Sequence, residues 1–216
     1  MPVNHGHTLV LGGIRSGKTA LAEAQALAQS QPVVYVATAT AGDNEMADRI
    51  SRHQAIRPAS WGLIEEPLNL AQVLSQHGQH NPAPCLLIDC MSLWVSNLLH
   101  AGTEQLHAHK EAFLEQIESY PSALIIVSNE TGLGTIGMDP LTRQFCDELG
   151  WLNQALAQRC HKVVMVLAGL PLILKDSIKC NDDTPSLRGL SAVAVHDLQQ
   201  LPYLTENPYS NSTESG

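Results

Sequence analysis

The sequence predicts an α/β protein, with a mainly parallel sheet and helices on both faces. Three observations carry that expectation. Five short apolar runs alternate with helical segments along the chain. The runs are continuously apolar, as strands covered on both faces must be, and do not alternate polar with apolar residues. The first run leads into a glycine-rich loop that opens directly into an alanine- and leucine-rich helix.

The runs fall at residues 8–11, 33–38, 85–89, 123–128 and 162–168, and residues 61–66 read as a further short extended segment. Helices are expected over 18–30, from Asp43 or Asn44 to about Ile56, and over 68–77, 91–99 and 103–118, the last two separated by Gly102. A final helix starts at Pro140 and runs toward Cys160, with Leu141, Phe145, Leu149, Leu152 and Leu156 on its apolar face. Beyond residue 175 proline, serine, asparagine and acidic residues take over. The expected division is therefore a domain over 1–175 and a partly disordered extension over 176–216.

The loop after the first run is Gly12-Gly13-Ile14-Arg15-Ser16-Gly17-Lys18-Thr19, with the spacing G-x-x-x-x-G-K-[ST]. Its glycines let successive N–H groups turn inward as an anion nest at a helix N-terminus. Lys18 is expected on the β- and γ-phosphates of a nucleotide, and the Thr19 hydroxyl on Mg²⁺. The fold class sharpens to P-loop NTPase-like. In such a sheet ligands sit at the C-terminal strand edge. The other strand ends, Thr38 with its small-residue loop, Asp89, and Asn129-Glu130, are expected to converge there. Asp89 ends an apolar strand and is the candidate Mg²⁺ carboxylate, with helix capping as its alternative. Asn129 and Glu130 precede a glycine-rich loop and are candidates for contact with the acceptor substrate, with turn formation as the alternative.

The helix expected to begin at Asp43 or Asn44 is polar. Glu45–Arg49 and Asp48–Arg52 can pair along it, but Arg49, His53 and Arg57 lie on one face at four-residue spacing. Three potential cations in a stripe call for an anion against them, and a phosphate chain would serve.

Composition narrows the partners. A net charge of −9 with no basic run argues against nucleic acid. Five cysteines without a C-x-x-C pair read as reduced thiols of a cytoplasmic protein. No signal-peptide pattern and no bilayer-spanning apolar run stand out.

Several stretches together resemble one known family: GGIRSGKT, VVYVATATAGDNEMADRISRHQAIRPASW with the following IEEP, LLIDCMSLWVSNLL, VSNETGLGTIG, and TRQFCDELGWLNQALAQ leading to AGLPLILK. They resemble, in order from residue 9 to 175, the bifunctional adenosylcobinamide kinase / adenosylcobinamide-phosphate guanylyltransferase of cobalamin biosynthesis. The resemblance implies a P-loop α/β domain, commonly trimeric, with GTP, ATP and Mg²⁺ as cofactors. It implies two reactions: phosphorylation of the terminal hydroxyl of adenosylcobinamide, then transfer of GMP from GTP to that phosphate through a guanylyl-histidine. By position it makes His53 the nucleophile, with Lys18 as the second catalytic residue. It places nucleotide contacts on Gly12 to Thr19, on Ala37, Thr38 and Ala39, on Gln54, Ala55, Ile56 and Arg57, and on Glu65 and Asp89. Arg49 joins Arg57 as a group able to neutralise phosphate charge. The competing readings are a small-molecule kinase without the nucleotidyl step, and a nucleotide-dependent scaffold.

Overall fold

The apolar runs pack with strict two-residue alternation into two cores, one on each side of a single sheet. The computed structural model describes residues 6–39, 58–134 and 137–177. Among these, Leu9, Leu11, Val36, Leu86, Ile88, Leu124, Ile126, Val163 and Met165 face one core, while Val10, Val33, Tyr35, Leu87, Ile125, Val127, Val164 and Val166 face the other. Successive side chains of a strand point to opposite faces, so a run buried on both sides must be apolar throughout.

The strands are β1 (Thr8–Gly12), β2 (Val33–Ala37), β3 (Gly62–Glu65), β4 (Cys85–Asp89), β5 (Leu124–Asn129), β6 (Lys162–Leu167) and β7 (Leu170–Asp176). Their order across the sheet is β3-β2-β4-β5-β1-β6-β7, parallel throughout except for the β6–β7 pair. The helices are α1 (Lys18–Leu27), α2 (Leu70–Gly78), α3 (Met91–Ala101), α4 (Thr103–Ser119) and α5 (Pro140–Arg159). Ala22 and Ala26 of α1 fill the core of one face; Leu70 and Leu74 of α2, Trp94 and Leu98 of α3, Phe113 of α4 and Leu152 of α5 fill the other. There Trp94 meets Phe113 edge-to-face at 5.0 Å and donates its indole N–H to Leu68 O at 2.8 Å. An aromatic pair in that geometry, with its one polar atom satisfied, suits a core poor in other aromatics.

The predicted α/β class and five of the seven strands are where the sequence puts them. The extended segment at 61–66 is β3, an outer strand. β7 was not expected, because the last apolar run reads as closing at Gly169-Leu170-Pro171. Proline is tolerated there because β7 is an edge strand. The two residues between β6 and β7, Ala168 (φ 51°) and Gly169 (φ 80°), both adopt left-handed backbone, which closes a two-residue hairpin. The first helix stops at Leu27 and not near residue 30, its end tightened by Gln29 N–H on Ala26 O ahead of Pro32. α2 begins at Leu70 and not at 68, because Glu66 Oε1 takes the amides of Leu68 and Asn69 and Asn69 caps the helix through Gln72 N–H. Pro140 is the first residue of α5, after an Asp139 cap on Thr142 N–H at 2.8 Å.

No helix among the described residues is long and apolar enough to cross a membrane. Cys85, Cys90 and Cys160 are buried free thiols, and burial pushes Cys85 and Cys160 up to about 12. Cys146 is a half-buried free thiol, and Cys180 lies outside the described residues.

Candidate nucleotide site

Register fixes the site before any side chain is considered. Glu65 pairs with Ala37, Ala37 with Asp89, and Gly12 with Asn129. The candidate residues of four separate strand ends therefore share one edge of the sheet, with the glycine loop beside them.

The loop's backbone needs its glycines at two positions. A Cβ on Gly12 would stand 2.4 Å from Ser16 Oγ and 2.8 Å from Val166 O, a main-chain atom that cannot swing away. Gly17 holds φ 93° at the N-cap of α1, where L residues are strained. No side chain caps α1, so its first N–H groups and its dipole are open to an anion. Two main-chain bonds brace the loop from outside: Gly169 N–H on Ser16 O at 2.9 Å and Glu130 N–H on Gly12 O at 3.2 Å. Lys18 is buried, its ammonium reaching back to Gly13 O at 3.0 Å. Ile14 and Arg15 are exposed at the tip.

Asp89 ends β4 with one carboxylate oxygen shared between two donors. Thr19 Oγ1 donates to Oδ2 at 3.2 Å, and the Tyr35 hydroxyl donates to the same atom at 3.0 Å. Strand parity explains this meeting. Tyr35 and Leu87 face the α1 side of the sheet, Asp89 follows Leu87 by two, and Thr19 lies in the first turn of α1. Thr19 and Asp89 were expected from sequence; Tyr35 was not. The available signal was its placement two residues before Ala37, on the same face of a strand paired with β4.

Thr38 is fully buried and spends its hydroxyl on the residue after Asp89. It donates to Cys90 O at 2.8 Å and accepts from Cys90 N–H at 2.9 Å. Its own amide donates to Asp89 O at 3.2 Å, and its carbonyl accepts from Asn97 Nδ2 at 2.8 Å. The predicted contact residue thus works as a clamp that welds the ends of β2 and β4 together. Burial raises the Cys90 thiol, with the Asp89 carboxylate adding to it, so this sulfur stays protonated beside the site.

Ala37 is buried, Ala39 half-buried, and Glu65 exposed at the outer strand. Asn129 lies at the tip of β5 with its Oδ1 buried and without a hydrogen-bond partner, and its carbonyl accepts from Asn153 Nδ2 at 3.1 Å. Arg49, His53, Gln54, Ala55, Ile56 and Arg57 lie outside the described residues.

The donor set fits Mg²⁺ bound with a nucleotide. One hydroxyl and one carboxylate meet at the head of the phosphate loop, and Mg²⁺ commonly takes one or two such groups and completes its shell with phosphate and water. No group of three or more His, Cys, Asp or Glu side chains suited to a metal exists among the described residues.

Residues 8–174 match the model of the family described as cobinamide kinase / cobinamide phosphate guanyltransferase. The chain belongs to that family. Similar proteins include the bifunctional adenosylcobalamin biosynthesis protein CobP of Pseudomonas aeruginosa, 49% identical over 168 residues, which are 77% of this chain and 96% of that protein. The bifunctional adenosylcobalamin biosynthesis protein CobU of Escherichia coli is 32% identical over 181 residues, covering 77% and 98%. Among solved structures, the assembled ATPase EscN of the enteropathogenic E. coli type III secretion system superposes with a TM-score of 0.55 at 13% identity. That likeness covers 84% of this chain and 50% of EscN and concerns the fold alone. The family is one of nucleotide-using transferases of cobalamin biosynthesis.

Proposed function

We propose that this protein phosphorylates adenosylcobinamide with ATP or GTP and then transfers GMP from GTP to the product through a guanylyl-histidine on His53. The observation that carries the nucleotide half is the Thr19–Asp89 contact at the mouth of a braced phosphate loop. The histidine half rests on the sequence position of His53 between Arg49 and Arg57.

In the kinase reaction, the loop amides and Lys18 hold the β- and γ-phosphates. Mg²⁺, when bound at Thr19 and Asp89, offsets charge on the phosphates. In the second reaction the same loop holds GTP while a neutral His53 nitrogen attacks the α-phosphorus. The P–N bond forms, the bond to the bridging oxygen breaks and pyrophosphate leaves. An oxygen of the substrate phosphate then displaces the histidine, giving adenosylcobinamide-GDP and free imidazole. Two displacements spare the enzyme from forcing two polyanions together in a single step. Arg49 and Arg57 disfavour a charged His53 and balance the phosphates. We assign the further nucleotide contacts to Ala37, Ala39, Gln54 to Arg57 and Glu65. We also propose a cytoplasmic homotrimer, following the resemblance.

Incubation with α-labelled GTP and Mg²⁺ tests the reading. Wild-type protein is expected to take up label that is acid-labile and alkali-stable, and His53→Ala to take up none while still phosphorylating cobinamide. Unlabelled wild type would remove the guanylyl-enzyme step; a labelled His53→Ala variant would move the nucleophile elsewhere.

A further inference from the structure

The sheet order puts β5 between β1, which carries the phosphate loop, and β4, which carries Asp89. The chain leaving β5 therefore emerges between the two groups that hold the nucleotide's phosphates and metal, about 5 Å from each neighbouring strand. Its first residue past the strand is Glu130. The Glu130 amide, bonded to Gly12 O at 3.2 Å, continues the β1–β5 ladder and fixes the backbone against the loop. One carboxylate oxygen, Oε1, accepts from Gly132 N–H at 2.7 Å, and the other oxygen has no hydrogen-bond partner among the described residues. The side chain is half-buried.

The polarity of this tip is opposite to that of the loop beside it. The phosphate loop presents N–H donors, which suit a phosphate. The tip of β5 carries the open oxygen of Glu130; one residue earlier, Asn129 Oδ1 is buried and without a hydrogen-bond partner among the described residues. An open carboxylate oxygen repels a phosphate and welcomes an O–H. The other carboxylates of this edge are placed differently. Asp89 takes Thr19 and Tyr35 on one oxygen, Glu66 is held by two backbone amides, and Glu65 ends β3, four strands and about 19 Å from β1.

We propose that Glu130 is the general base of the kinase reaction, which rests on the functional reading above. As the acceptor's hydroxyl oxygen bonds to the γ-phosphorus, its proton passes to the free oxygen of Glu130. The bond from the γ-phosphorus to the β–γ bridging oxygen breaks, and the nucleoside diphosphate leaves with that electron pair. The guanylyl transfer needs no such base, since its acceptor is a phosphate oxygen that already carries negative charge. Glu130 thereby serves one of two reactions that share a single phosphate loop.

The test is Glu130→Gln in the full-length protein, which keeps an acceptor for Gly132 N–H. Kinase turnover is measured with adenosylcobinamide and MgATP, and guanylyl transfer separately with adenosylcobinamide phosphate and MgGTP. The kinase kcat is expected to fall about 100- to 1000-fold, with KM for cobinamide and the rate of guanylyl transfer each within about threefold of wild type. A kinase kcat within about fivefold of wild type overturns the proposal, as does an equal fall in both reactions, which marks a structural part at the loop. Wild-type protein that phosphorylates no cobinamide defeats the functional reading itself, and the assignment of Glu130 with it.

Discussion

Replacing Thr38 with valine removes one oxygen and almost no volume, yet it strikes the joint between β2 and β4. The hydroxyl is fully buried and bonds both polar groups of Cys90, the carbonyl at 2.8 Å and the amide at 2.9 Å. Valine leaves the Cys90 amide without a partner in a site that water does not reach, while the carbonyl keeps Trp94 N–H at 3.2 Å. An orphaned buried group costs about 1–3 kcal/mol, which sets the expected loss. For a protein of this size each kcal/mol lowers Tm by about 2–4 °C, which puts the expected fall at about 2–12 °C. Urea titration with matched m-values gives the free energy, and a thermal melt gives the shift. Thr38→Ser keeps the hydroxyl and is expected to recover at least half of the loss. A valine variant within about 0.5 kcal/mol of wild type would refute the claim that this hydroxyl holds Cys90. Equal losses for serine and valine would assign the effect to the lost methyl contacts.

Four other outcomes are expected. Tyr35→Phe removes one of two donors on Asp89 Oδ2 and should raise the Mg²⁺ concentration needed for half-maximal nucleotide binding by about 5- to 10-fold, with binding in EDTA unchanged, read by nucleotide fluorescence. Gly12→Ala should abolish nucleotide binding while the protein still folds by circular dichroism, because its Cβ collides with Val166 O at 2.8 Å. Lys110 and Glu148 form a buried pair between α4 and α5 at 2.5 Å; Lys110→Met should cost about 3–5 kcal/mol, and adding Glu148→Leu should restore most of it in a denaturation series. Burial, with His161 adding to it, lowers His7 to about 4, so the fold holds it neutral. Its contribution is complete above about 6.5 and is lost as pH falls toward 4, an acid-side drop of about 3 kcal/mol that His7→Gln should flatten.

The parts of the fold legible in the sequence are those where local pattern and tertiary setting agree. The run Val33-Val34-Tyr35-Val36-Ala37 has no polar face, and its strand is covered on both sides. Gly12 to Thr19 announce their loop because backbone geometry leaves no freedom at Gly12 and Gly17. β7 was hidden because Pro171 forbids a central strand but not an edge, and a sequence does not say which strand will be outermost. Within the site, Asp89 was visible as the carboxylate ending an apolar run. Tyr35 was not, since a tyrosine in a strand is ordinary until the register of β2 against β4 carries its hydroxyl to Asp89. Thr38 was placed at the right edge with a different task, because its partner, the Cys90 backbone, carries no mark in the sequence.

The two braces on the phosphate loop, Gly169 N–H on Ser16 O and Glu130 N–H on Gly12 O, join main chain to main chain. Neither depends on the identity of a supporting side chain. What they depend on is counting: residues from Lys162 to Gly169 along β6 and its turn, and from Leu124 to Glu130 along β5. Apart from Gly169, whose φ of 80° favours glycine, those positions can exchange letters while the loop keeps its shape, provided the buried ones stay apolar. The loss or gain of one residue shifts a brace by a full step and reaches the phosphates from outside the motif. In this protein the nucleotide site tolerates spelling changes in its supports and is exposed to changes in their length.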